Sequence, residues 1–95
     1  MEIEFEKSVL LISKKVISEF EEIANKKGIT ISQPILKKEN SHSFNSEIEI
    51  TFSDDNGIFD VLEFHIYNQD KSKIELSEIE SWLKINIEQI LNSVN

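Results

Sequence analysis

The sequence predicts an α+β fold in the order α-β-β-β-α: a three-stranded antiparallel meander with both helices packed on one face. Three observations carry this. Both ends of the chain repeat apolar residues every three or four positions, the period of a helix with one buried side. The middle alternates apolar and polar residues with period two, as a half-buried strand does. The step Asp54-Asp55-Asn56-Gly57 divides that alternation into two runs, as a hairpin turn does. Each element then has one apolar side, and stacking both helices on one sheet face buries all of them together.

The chain's size and composition suit this reading. Ninety-five residues make a single domain, 1–95, with room for one modest core. The apolar fraction is 39%, and sixteen of those residues are isoleucine, which favours packed strands and helix stripes over disorder. The absence of cysteine excludes a disulfide framework, a thiolate metal site and a cysteine nucleophile. The N-terminus lacks a basic region followed by an apolar core, and no apolar run approaches membrane-spanning length, so a cytoplasmic location is expected. All ten basic residues are lysine, and the formal net charge is −8. Without arginine forks, and with that charge repelling phosphates, nucleic acid is not an expected partner.

Residues 2–27 read as the first helix. Phe5, Val9, Ile12, Val16, Phe20 and Ile23 form its stripe, flanked by Leu10, Ile17 and Ala24, with Leu11 off it. Lys26, Lys27 and Gly28 mark its end. The period-two run Glu2 to Glu6 also suits a short strand, with Ser8 capping a shorter helix; three early glutamates at the positive helix end favour the long form.

Residues 29–38 read as a strand, with Ile29, Ile31 and Ile35 at even spacing. Pro34 lacks an N–H and places this strand at an edge or around a bulge. Lys37 and Lys38 are its basic step, and pairing with 44–53 brings them towards Glu47 and Glu49. Residues 39–43 are a polar connection.

The stretch Phe44 to Asp70 is the hairpin. It holds seven acidic residues and no lysine, so it carries −7 of the total charge. Phe44, Ile48, Ile50 and Phe52 share one face of its first strand; Leu62, Phe64 and Ile66 share one face of its second. A two-residue Asn56-Gly57 turn mixes the two faces. A three-residue loop, Asp55-Asn56-Gly57, pairs Asp54 with Ile58, Ile50 with Leu62 and Ile48 with Phe64, with Gly57 left-handed. The outer face then carries Glu47 opposite His65, Glu49 opposite Glu63, Thr51 opposite Val61 and Ser53 opposite Phe59, with Tyr67 beyond.

After a charged loop at 69–73, Ser77 and Glu80 have the form of a capping box opening the second helix. Ile79, Leu83, Ile87, Ile90, Leu91 and Val94 are its buried stripe. Trp82 and Ile85 lie to one side, against the first helix or the 69–75 loop, or in a patch used for self-association. The order of elements resembles that of double-stranded RNA-binding domains. Those domains carry a lysine cluster at the start of the second helix, where this chain reads LSEIES, with two acids and no base. The resemblance ends at element order, and no family follows from it.

Candidate chemistry is sparse. Glu47, Glu63 and His65 form the one cluster in which a carboxylate orients a histidine as a base, but an open sheet face offers no pocket that excludes water. No catalytic or cofactor-binding residue is assigned. Asp54, Asp55, Asn56 and Asp60 lack the spacing of a calcium loop and suit a turn instead. A two-histidine metal site needs His42 and His65 to meet. No metal or cofactor is expected.

The favoured function is therefore a small acidic, non-enzymatic protein-binding module. Its surface is Glu47, Glu49, Asp54, Asp55, Phe59, Glu63, His65 and Tyr67, with Asp60 at the tip. Its partner is a basic protein, as for an immunity protein that blocks a toxin. The alternatives are a structural homo-oligomer, a homodimer in the simplest case, and, less favoured, an enzyme using Glu63 and His65.

Overall fold

The computed structural model describes residues 2–38, 46–66 and 75–94. Among them the order is α1 (Glu2–Lys26), β1 (Thr30–Ile31), β2 (Ile35–Lys38), β3 (Ser46–Asp54), β4 (Gly57–His65) and α2 (Leu76–Asn92). The fold is α+β with an antiparallel sheet, as the sequence implies. β3 is central. β4 pairs with one of its edges, and β1 and β2 share the other.

The long form of α1 holds, so the alternative strand at its start does not. Its C-terminus is locked by two bonds: Ile29 N–H donates to Ala24 C=O at 2.9 Å and Gly28 N–H to Asn25 C=O at 3.1 Å. Gly28 has φ +74°, the left-handed turn that brings the next residue back onto the helix. Ile29 and Ala24 are both buried there, which adds the apolar contact that accompanies this cap. The expected stripe is largely kept: Val9, Val16, Ile17 and Ala24 are buried and Phe5, Leu10, Ile12 and Phe20 pack against them, while Ile23 is 47% exposed and Glu6 and Ser13 join the buried side. Ser13 is tolerated inside because its hydroxyl donates to Val9 C=O at 2.8 Å, one turn back.

The expected strand 29–38 is split in two. β1 pairs Ile31 with Phe52, and β2 pairs Ile35 with Glu49, so three residues, Ser32, Gln33 and Pro34, span two of β3. This is a bulge at the proline. The Ser32 hydroxyl accepts from Thr51 N–H at 2.9 Å, and Ser32 N–H donates to Thr51 C=O at 2.9 Å, which keeps the backbone satisfied across it. The extra residue reverses which face each later side chain takes. Ile35 therefore lies on the outer face and is 50% exposed, contrary to its even spacing from Ile31.

The hairpin register is the expected one from Glu47↔His65 to Phe52↔Asp60. The tip differs. Pairing continues through Ser53↔Ile58 to Asp54↔Gly57, leaving a two-residue turn, Asp55-Asn56. The odd residue is absorbed as a bulge beside Phe52 and Ser53, so Ser53 faces Ile58 rather than Phe59. Gly57, at φ +113°, takes the conformation required of it, and Asp54 Oδ1 accepts from Asn56 N–H at 2.8 Å to brace the turn.

α2 starts at Leu76 with Glu75 as its cap, and Glu75 makes no side-chain capping bond. The expected capping box is therefore not formed. Ser77 is already inside the first turn, and Glu80 is drawn away by two lysines, Lys84 at 3.0 Å and Lys15 at 3.4 Å. Ile79, Leu83, Ile87 and Leu91 are buried as the spacing requires. The two helices run parallel: Lys15 meets Glu80, Glu19 meets Lys84 at 3.5 Å, and Lys27 Nζ donates to Val94 C=O at 3.0 Å. α1 packs on β1 and β2, and α2 on β4. The core of Val9, Val16, Ile17, Ile48, Ile50, Phe52, Phe64, Ile79, Leu83 and Ile87 fills the space between the helices and the inner sheet face.

Candidate functional site

The outer sheet face takes its geometry from the hydrogen-bonding parity of β3. Both the N–H and the C=O of Thr51 are bonded to Ser32, so they point away from β4. Thr51↔Val61 is then a non-hydrogen-bonded pair, and by the two-residue alternation so are Glu49↔Glu63 and Glu47↔His65. Side chains lie closest across such pairs. β2 adds Lys37 opposite Glu47 and Ile35 opposite Glu49. Two rungs result, Lys37–Glu47–His65 and Ile35–Glu49–Glu63.

Charge is arranged diagonally across these rungs. Lys37 Nζ donates to Glu49 Oε2 at 2.9 Å. That hydrogen bond, with the charge of Glu49 and smaller contributions from Glu47 and Glu63, holds the lysine above its ordinary pKa. Glu47 Oε2 lies 3.4 Å from His65 Nδ1. That oxygen is screened from solvent and, among the described residues, accepts no hydrogen bond. Glu63 is exposed and stands two residues before the histidine on the same strand and the same face. One donor atom from each of Glu47, Glu63 and His65 lies within 4.8 Å of the others.

The expected site residues separate into two groups. Glu47, Glu49, Glu63 and His65 come together on the outer face, and sequence reasoning missed only how tightly Lys37 joins them. Asp54, Asp55, Phe59 and Asp60 lie towards the exposed tip; Phe59 is 39% exposed and Val61 43%. Asp60 Oδ1 accepts from Val61 N–H at 2.8 Å, so it covers a backbone donor on the free edge of β4. Tyr67 and His42, with Phe44 and Asp70, lie outside the described residues. Ile35 is an apolar member of the face that its spacing concealed.

Trp82 flanks the core and stays 37% exposed, and residues 69–74 of the loop expected beside it lie outside the described residues. Its ring packs edge-on against Phe64, with centroids 5.3 Å apart, tying α2 to the inner face of β4. Ile85 alone of that pair stays largely open, at 57% exposure. Among the described residues no helix is long and apolar enough to cross a membrane. Compared with protein-family models, with curated proteins and with solved structures, the chain matches none.

Proposed function

We propose that the protein is a small acidic, non-enzymatic binding module that docks a basic protein segment on the outer face of its sheet. One observation carries this reading: both helices pack on the inner face, while Glu63, Ile35, Phe59 and Val61 stay exposed beside the half-buried Glu47 and Glu49. Glu47, Glu49 and Glu63 face Lys37 alone among the described lysines there, so negative charge remains after Lys37 bonds Glu49. Asp54 and Asp55 add charge at the exposed tip of the hairpin, whereas Asp60, directly opposite the buried Phe52, belongs to the other face. Ile35, Phe59 and Val61 supply exposed apolar area beside the carboxylates, and interfaces draw their energy from such groups while charge sets encounter and selectivity. Blocking a basic toxin, as an immunity protein does, in the cytoplasm, is the role that best fits this chemistry.

Self-association is less favoured. Trp82 is engaged with Phe64, which leaves Ile85 as the principal apolar contact on that side of α2, and the carboxylates oppose face-to-face pairing. The test compares partner capture by the native chain and by a triple variant, Glu47→Lys, Glu49→Lys and Glu63→Lys. A basic partner should be retained by the native chain, released by salt and lost by the variant. Equal capture by both proteins overturns the proposal.

A further inference from the structure

We propose that Glu47, Glu63 and His65 bind a divalent first-row transition-metal ion, Zn2+ before others, on the outer sheet face. Their donor atoms already lie within 4.8 Å of one another. Around Zn2+, with bonds of about 2.0–2.1 Å, tetrahedral ligand atoms stand roughly 3.4 Å apart, so side-chain rotation alone closes the remaining gap. The backbone beneath is a paired hairpin, with Glu47 directly opposite His65 and Glu63 two residues before it on the same face. No loop has to move.

Two further features point to a cation. Glu47 Oε2 is screened from water, accepts no hydrogen bond among the described residues and lies 3.4 Å from His65 Nδ1, a second donor atom of the set, so an ion seated between them would give that oxygen a partner. Lys37, the competing cation, is committed at 2.9 Å to Glu49, which is not one of the three donors. The donor set then selects the ion. One imidazole nitrogen with two carboxylate oxygens suits Zn2+ and its neighbours, whereas Mg2+ and Ca2+ take oxygen sets. With the histidine neutral, two carboxylates match the charge of the ion. This site does not rest on the protein-binding reading, because metal uptake is measured on the purified chain alone.

The experiment is calorimetric titration of the full chain with ZnCl2 near neutral pH, beside Glu47→Gln, Glu63→Gln, His65→Ala and a distal control, Asp55→Asn. One ion per chain is expected. Affinity should fall at least about tenfold in each of the three ligand variants, stay unchanged in the control, and withstand about a hundredfold excess of Mg2+. Glu63 is exposed, so its substitution leaves the fold intact and carries the test by itself. No uptake, displacement by Mg2+, or several weak ions indifferent to Glu63→Gln would overturn the site.

Discussion

Glu49 and Glu63 stand face to face across a non-hydrogen-bonded pair of the hairpin, and Lys37 bonds the first of them at 2.9 Å. The lysine reaches this place through the bulge at Ser32–Pro34. The bulge sets Lys37 on the outer face opposite Glu47, one rung from Glu49. One of two repelling carboxylates is therefore compensated directly, and the other sits exposed at the sheet edge.

This asymmetry makes two conservative substitutions behave differently. Glu63→Gln removes repulsion and leaves the Lys37–Glu49 bond in place, so it should stabilise the fold by on the order of 0.5 kcal/mol. Glu49→Gln removes the same repulsion but also the partner of Lys37, so the gain should vanish or reverse. Urea-unfolding midpoints of the two variants at low salt measure the difference, and high salt should shrink both effects. Equal shifts would mean that Lys37 does not discriminate between the two acids.

The tip of the hairpin depends on one backbone conformation. Gly57 has φ +113°, and a Cβ built there meets no atom within 4 Å. Any cost of Gly57→Ala is therefore conformational rather than steric crowding by neighbours. A loss of about 1–2 kcal/mol is expected from the left-handed backbone penalty, measured by denaturant unfolding. A D-alanine at the same position, introduced by chemical synthesis, should escape most of that loss.

Much of this architecture is legible in the sequence, because the strongest signals are periodic. The alternation from Glu47 to Phe52 against Asp60 to His65 determines the register, since a slip would expose Ile48, Ile50 and Phe64 together. Local details were less legible where two solutions give the same global pairing. A three-residue loop and a two-residue turn with a bulge both place Ile50 opposite Leu62, and the choice lies in backbone angles near Gly57. Pro34 announces an edge or a bulge but not the bulge's length, so the even spacing of Ile35 from Ile31 does not reveal its outer face. Ser77 and Glu80 had the right spacing for a cap, yet Lys15 and Lys84, distant and near in sequence, compete for the glutamate. The three donors of the metal site were visible as a cluster on one face. That Glu47 Oε2 is sheltered, with no hydrogen bond from a described residue, was not.

Glu80 predicts how the two parallel helices respond to acid. Its hydrogen bond from Lys84, then that from Lys15, hold its carboxyl below the ordinary value of 4.5. A folded-state pKa lowered in this way contributes stability that is complete above the unfolded-state value and lost as pH falls through the folded one. The difference in stability between the native chain and Glu80→Gln should therefore be constant near neutrality and decline once pH drops below 4.5. Unfolding midpoints of the two proteins across that range check it. A difference that persists in strong acid would assign the effect to packing rather than charge.

The contact between Trp82 and Phe64 joins α2 to the inner face of β4. Their rings meet at 63° with centroids 5.3 Å apart, the edge-to-face geometry favoured by aromatic quadrupoles. Phe64 is buried and Trp82 is 37% exposed, so the pair lies at the margin of the core, where truncation of one ring leaves the other partly solvated. A double-mutant cycle with Phe64→Leu and Trp82→Leu should give a coupling of about 0.5–1.5 kcal/mol beyond the two single losses. Trp82 is the single tryptophan in the chain, so its fluorescence follows the same contact directly. Phe64→Leu should shift its emission while leaving the helical circular dichroism intact. Additive losses and an unmoved spectrum would mean that α2 is held by Ile79, Leu83 and Ile87 alone.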